Sequence, residues 1–276
     1  MEQAIDAKLG KASEPSRFRS ALTGTGSALA ETYRLGGRTL VVAPAILALA
    51  VLPEFVQHIA EIQLGMFESK SAFDALSADP TRWAFGYAKV AGFVLAILAT
   101  TRYWAFGSVR RALIVTPTTL LRIAFAAGIT FAAALPFDWL TEHSTSPVAD
   151  FIAIFVNTLI QAGTLVYLAA AVLEDRSMSL RRCFTERWPT AVLMIFLAAV
   201  AFVPAQALHM LNHQLAVGQS PLIVWTVMLF DSLWVGLLAA LVGSALFVGY
   251  RAGSSWSGWT VHGPLSDGEE RLVSTL

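Results

Sequence analysis

The sequence predicts an all-α, polytopic transmembrane bundle of about six spans, from long apolar runs, scarce charge and basic residues that alternate between connections. Of the 276 residues, 56% are hydrophobic and only 14% charged, with a mean hydropathy of +0.62. Soluble domains carry about 25% charged residues. A run of ~20 apolar residues matches ~30 Å of hydrocarbon at a helical rise of 1.5 Å.

Six runs meet that length, near 39–60, 83–108, 118–140, 148–174, 189–212 and 221–250. They divide the chain into a basic amphipathic segment (1–38), a six-helix membrane domain (39–252) and a polar tail (253–276). The first 38 residues are charged and broken by Gly24, Gly26, Gly36 and Gly37, so no cleaved leader is expected there. The first apolar run then acts as the insertion signal. The single cysteine, Cys183, excludes an internal disulfide and a thiolate zinc cage.

Several starts carry initiation chemistry. Asp79-Pro80 and Thr116-Pro117 place a capping side chain before a proline that needs no N–H partner in the first turn, and Pro189 sits likewise at the fifth run. Pro53, Pro136 and Pro204 fall inside spans, where each removes a backbone hydrogen bond. Gly86, Gly92, Gly236, Ala240, Gly243 and Ser244 are small residues expected at close helix contacts.

Orientation follows from the basic residues, since Lys and Arg in short loops resist translocation. All of the 19 except Lys70, Arg82 and Lys89 fall before the first run, in the second and fourth connections with their flanks, or in the tail. Both termini are therefore expected on the cytoplasmic side of a bacterial-type inner membrane. Tryptophan agrees: Trp83, Trp139 and Trp225 lie near outer ends, Trp104, Trp188, Trp256 and Trp259 near inner ends, and Trp234 stands apart.

A shift of 151 residues aligns the first run with the fifth: Thr39, Val41, Ala48, Ala50, Pro53 and His58 meet Thr190, Val192, Ala199, Ala201, Pro204 and His209. Upstream, Leu29 meets Leu180 and Tyr33 meets Phe184. The implied unit is a basic amphipathic segment, a proline-bearing span and a returning span; chance similarity of Ala-rich spans is the alternative. The amphipathic segments place Arg17, Arg19, Arg34, Arg181 and Arg182 beside apolar stripes, an arrangement that suits anionic lipid headgroups or a cap on the bundle.

The segment Glu174-Asp175-Arg176-Ser177-Met178-Ser179-Leu180, followed by Cys183-Phe184 and Trp188-Pro189, gives an acidic turn, a short amphipathic helix and a Trp before a span. In this the chain resembles the YciC-like bacterial inner-membrane proteins and the membrane domain attached to some glycerophosphodiester phosphodiesterases. Glycine commonly follows the acidic residue there, where this chain has Asp175-Arg176. The resemblance implies the architecture and no catalytic residue.

Charge inside a bilayer costs about 2.5–3.5 kcal/mol per group on insertion scales, so it marks candidate sites. Lys89, Asn157 and Asp231 fall in the outer halves of the even-numbered spans, with Gln161 one turn from Asn157. Similar depth predicts a Lys89–Asp231 ion pair with Asn157 and Gln161 as further partners, either a polar pocket or relay or a structural pair. His58, His143, His209 and His213 gather toward the outer side with Glu54, Glu61, Asp138 and Glu142. Without HExxH, solvated interfacial histidines are expected and no metal or other cofactor. No phosphate-binding glycine loop or dinucleotide fingerprint occurs, and Ser254, Ser255 and Ser257 lie in a polar tail rather than beside a base.

The expected function is a non-enzymatic envelope accessory or scaffold that meets membrane lipids, with a membrane-protein partner conceivable and no nucleic acid. The alternative is a small-solute or ion permease with its polar site between the even-numbered spans.

Overall fold

The computed structural model describes residues 14–144 and 146–256, with their side chains from Thr23 to Ser254. Ten helices fill it in chain order: α1 (Glu14–Val42), α2 (Pro44–Gln63), α3 (Lys70–Leu76), α4 (Pro80–Phe106) and α5 (Val109–Leu113), then α6 (Pro117–His143), α7 (Pro147–Val172), α8 (Leu180–Thr185), α9 (Trp188–Ala216) and α10 (Pro221–Trp256). Among the described residues there is no strand. Helices α2, α4, α6, α7, α9 and α10 are long and apolar enough to cross a membrane, and they correspond to the six expected runs. The chain is an integral, multi-pass membrane protein. One end of the bundle carries α3 and the other carries α5 and α8.

The expected caps form. Asp79 accepts from the Thr81 and Arg82 amides and Thr116 from the Thr119 amide, each just before the proline that opens α4 or α6. Helix α7 ends differently. The Glu174 amide donates to Ala171 O and the Asp175 amide to Ala170 O, with Glu174 at φ +59° in the left-handed position usually given to glycine.

Helix α10 is the central post, and α1, α2, α4 and α9 pack around it. The small residues of its face make this approach close. A Cβ on Gly243 would stand 2.6 Å from Ile97 O of α4, and one on Gly236 would stand 2.5 Å from Val51 of α2. Between α2 and α4 the tightest point is Gly92, where a Cβ would meet Leu49 O at 2.2 Å. Pro53 deprives that carbonyl of its helical donor. Helix α6 stands at the periphery and packs on α7, leaving Leu121, Phe131 and Trp139 facing outward.

The first span departs from expectation at its start. Helix α1 runs unbroken through Gly36 and Gly37, and the chain breaks at Ala43. Gly36 does not end the helix; it lets α1 cross α10, with Leu241 2.6 Å from where its Cβ would lie. The later half of α1 is therefore part of the bundle. Tyr33 donates to Val200 O of α9, Trp104 Nε1 of α4 donates to Thr39 Oγ1, and Arg251 of α10 pairs with Glu31. Of the basic residues expected at headgroups, Arg34 and Arg181 are exposed and Arg182 half-buried. The side chains of Arg17 and Arg19, and everything from residue 257 onward, lie outside the described residues.

Arg102 joins the ends of three helices at the α5 end. Its guanidinium donates to Arg111 O and Ala112 O in the last turn of α5, to Ile114 O just beyond it, to Val172 O at the end of α7, and to the Glu174 carboxylate. It thus satisfies carbonyls that a helix end leaves without donors. Asp175 does related work, accepting from the Ser177 amide and hydroxyl and, at 2.6 Å, from the Tyr250 hydroxyl.

Candidate metal centre

Helix α2 carries Glu54, Gln57, His58 and Glu61 at i, i+3, i+4 and i+7, one polar face on an otherwise apolar span. Helix α9 offers His209, Asn212 and His213 at i, i+3 and i+4, and α10 offers Asp231. All eight side chains are buried, near the α3 end of the bundle. Helix α4 closes one side with Arg82 and Lys89, each 20% exposed at its side chain.

Asp231 is the hub. Its Oδ2 lies 2.7 Å from His209 Nδ1, 3.1 Å from His58 Nε2 and 3.7 Å from His213 Nε2, and its Oδ1 accepts from Asn212 Nδ2 at 2.8 Å. His58 also reaches Glu54 Oε1 at 3.2 Å and, through Nδ1, Glu61 Oε2 at 2.9 Å. Glu61 Oε1 accepts from Gln57 Nε2 and from Arg82 Nε at 2.8 Å. Lys89 Nζ stands 2.8 Å from Glu54 Oε1 and 3.5 Å from His209 Nε2. The segment between α2 and α4 roofs the cluster: the Phe67 and Phe73 rings lie tilted and edge-on to His213, and Phe67 O accepts from the Gly218 amide.

The expected pair of Lys89 with Asp231 is not made. Both belong to the cluster, but Lys89 takes Glu54, while histidines and Asn212 surround Asp231. Equal depth on two helices does not fix which way each residue faces, and α2 and α9 supply nearer partners. Asn157 and Gln161 lie apart. Gln161 Nε2 donates to Asn157 Oδ1 within α7 and to Thr130 O of α6, beside a cavity of about 330 Å³ between those helices and α9.

The expectation of solvated histidines is corrected for three of the four. His58 is fully buried and His209 and His213 are 6% exposed, because the helix register turns all three inward toward α10. His143 alone is as expected: it is exposed at the end of α6, bonded to Trp139 O, with Asp138 and Glu142 on the same peripheral helix. Gln57, Arg82 and Asn212 were not singled out from the sequence. The helical spacing of Glu54, Gln57, His58 and Glu61 was the available signal.

Four buried atoms of the cluster, Glu54 Oε1 and Oε2, Gln57 Oε1 and His213 Nε2, make no hydrogen bond among the described residues, although Glu54 Oε1 is ion-paired with Lys89 and His213 Nε2 stands 3.7 Å from Asp231 Oδ2. Glu54 and His213 belong to a group of four, with His209 and Asp231, whose donor atoms lie within 4.8 Å of one another. His58, Glu61 and His213 form a second group of that kind. Imidazole and carboxylate donors suit zinc at about 2.0–2.2 Å. Tetrahedral ligands at that length sit ~3.3 Å apart, so closure on an ion asks for about an ångström of side-chain movement. Charge points the same way. Three carboxylates face only two fixed cations, and a metal ion or a proton on imidazole would offset the excess.

The fold and cluster define a six-span membrane protein with a buried histidine–carboxylate centre. No family model matches the chain, and no curated protein or solved structure is significantly similar to it.

Proposed function

We propose that this protein binds a divalent transition-metal ion, with zinc the best fit to its donors, inside the membrane at the α3 end of the bundle. The observation that carries the reading is that Glu54 and His213, each with a buried atom that makes no hydrogen bond, fall in one donor group with His209 and Asp231. Leaving such groups unpaired costs about 1–3 kcal/mol each. Their retention in a bilayer is explained by a ligand that uses them. The distribution of Lys and Arg supports an inner-membrane orientation with both termini cytoplasmic, which puts the centre in the outer half.

The proposal is for binding without turnover, in keeping with an accessory role in the envelope. Packing counts against the permease alternative. One to two turns inward of Glu54 and Asp231, Ala50, Ala96 and Ala239 close the middle of the bundle at 0–1% exposure. A hydrated ion crossing the bilayer would need polar partners there.

The test is elemental analysis of protein purified in detergent, stripped with chelator and reloaded with zinc. About one ion per chain is expected, falling at least tenfold in affinity in His213→Ala and Glu54→Gln. Wild-type protein that holds no zinc after reloading, while remaining monodisperse, overturns the reading.

A further inference from the structure

A second site lies at the opposite end of the bundle. A pocket of about 530 Å³ opens there, lined by Arg102, Phe106, Arg110, Arg111, Ile114 and Glu174. The positive charges of this pocket are not equivalent. Arg102 is buried and fully engaged, with its guanidinium carbon 4.7 Å from the Phe106 ring centroid and its charge met by Glu174 at 3.0 Å. Arg110 and Arg111 are exposed, and no acid among the described residues pairs with either. Two adjacent guanidiniums beside a cavity form a ready phosphate fork, since each presents paired N–H donors to anionic oxygens.

The surroundings choose the source of the phosphate. Leu113 and Ile114, one residue beyond the two arginines, are 46% and 58% exposed, and Leu120 and Leu121 at the start of α6 are exposed as well. The pocket therefore sits where the apolar spans give way to the polar connection, at headgroup depth, with apolar surface beside it for acyl chains. A soluble anion gains nothing from that surface.

We propose that this pocket binds the headgroup phosphate of an anionic membrane phospholipid, held by Arg110 and Arg111 with the acyl chains along Leu113, Ile114 and the first turns of α6. This site is separate from the metal centre and stands or falls without it. It also differs from the basic residues of the amphipathic segments: the geometry favours a short connecting helix, α5.

The test is native mass spectrometry of detergent-purified protein titrated with phosphatidylglycerol, with phosphatidylcholine and inorganic phosphate as comparison arms. Wild type should hold phosphatidylglycerol at least fivefold more tightly than phosphatidylcholine. Arg110→Gln/Arg111→Gln should lose at least fivefold in that affinity. Arg38→Gln/Arg176→Gln, which removes the same charge from exposed residues outside the pocket, should stay within twofold of wild type. Equal loss in both double variants would reveal general charge attraction and overturn the pocket, as would unchanged binding in Arg110→Gln/Arg111→Gln. Displacement of the lipid by an equal concentration of inorganic phosphate would assign the site to the free anion and overturn the lipid.

Discussion

The Tyr33 hydroxyl donates at 3.0 Å to Val200 O, the carbonyl that Pro204 leaves without its helical donor. A kinked span in lipid must find a replacement donor, because no water reaches the freed carbonyl. Here α1 brings it from outside α9. Tyr33→Phe is therefore expected to lower unfolding stability by about 1 kcal/mol. In a Pro204→Ala background the backbone amide can serve Val200 O again, so the same change should cost much less. A double-mutant cycle in detergent measures the coupling, and additive effects would show that the hydroxyl does not serve this carbonyl.

Zinc should stabilise the protein in a pH-dependent way. At a free concentration of 100 Kd, a ligand that binds only the folded state adds about 2.7 kcal/mol, enough to raise the melting temperature by several degrees. The increment should be largest near pH 8 and shrink as the pH falls to 4. A protonated imidazole has no lone pair to give, so acid competes directly with the metal for histidine ligands. A zinc increment that stays constant across this range would mean that the histidines are not its ligands.

Burial pushes the Cys183 thiol up to about 12. At pH 8 the folded protein should hold almost no thiolate there, so maleimide labelling should be at least a hundredfold slower than for an exposed cysteine. Labelling should become fast on unfolding in denaturant. The sign for stability follows: an unfolded thiol releases its proton above about pH 8.5 while the folded one keeps it, so alkali up to pH 12 favours the unfolded chain. Rapid labelling of folded protein at pH 8 would show that α8 opens readily.

The spans were legible because run length and capping prolines are local properties: α4 and α6 begin at Asp79-Pro80 and Thr116-Pro117 as read. Helix α1 was not, because Gly36 and Gly37 look like breaks until Leu241 is seen to need the space. The centre was half legible. His209 and His213 at i, i+4 announce a shared face, and His58 aligns with His209 in the 151-residue shift. That both reach Asp231 depends on how α2, α9 and α10 are rotated about their axes. Sequence depth carries no such information, and it led to Lys89 and Asp231 being paired directly.

Glu174 gives a separable test of backbone against charge. It sits at φ +59° and its carboxylate meets Arg102 at 3.0 Å. Glu174→Gly and Glu174→Ala both remove the carboxylate, but only alanine keeps a Cβ in the left-handed region, where it costs roughly 1 kcal/mol more than glycine. Glycine should thus be the milder change by about that amount in chemical unfolding. Glu174→Gln keeps the Cβ and a neutral acceptor for Arg102, so its loss measures the charge at a pair whose guanidinium is buried, roughly 1–3 kcal/mol. If glycine and alanine prove equally destabilising, the left-handed turn between α7 and α8 is not under strain, and the ion pair alone accounts for the glutamate at this position.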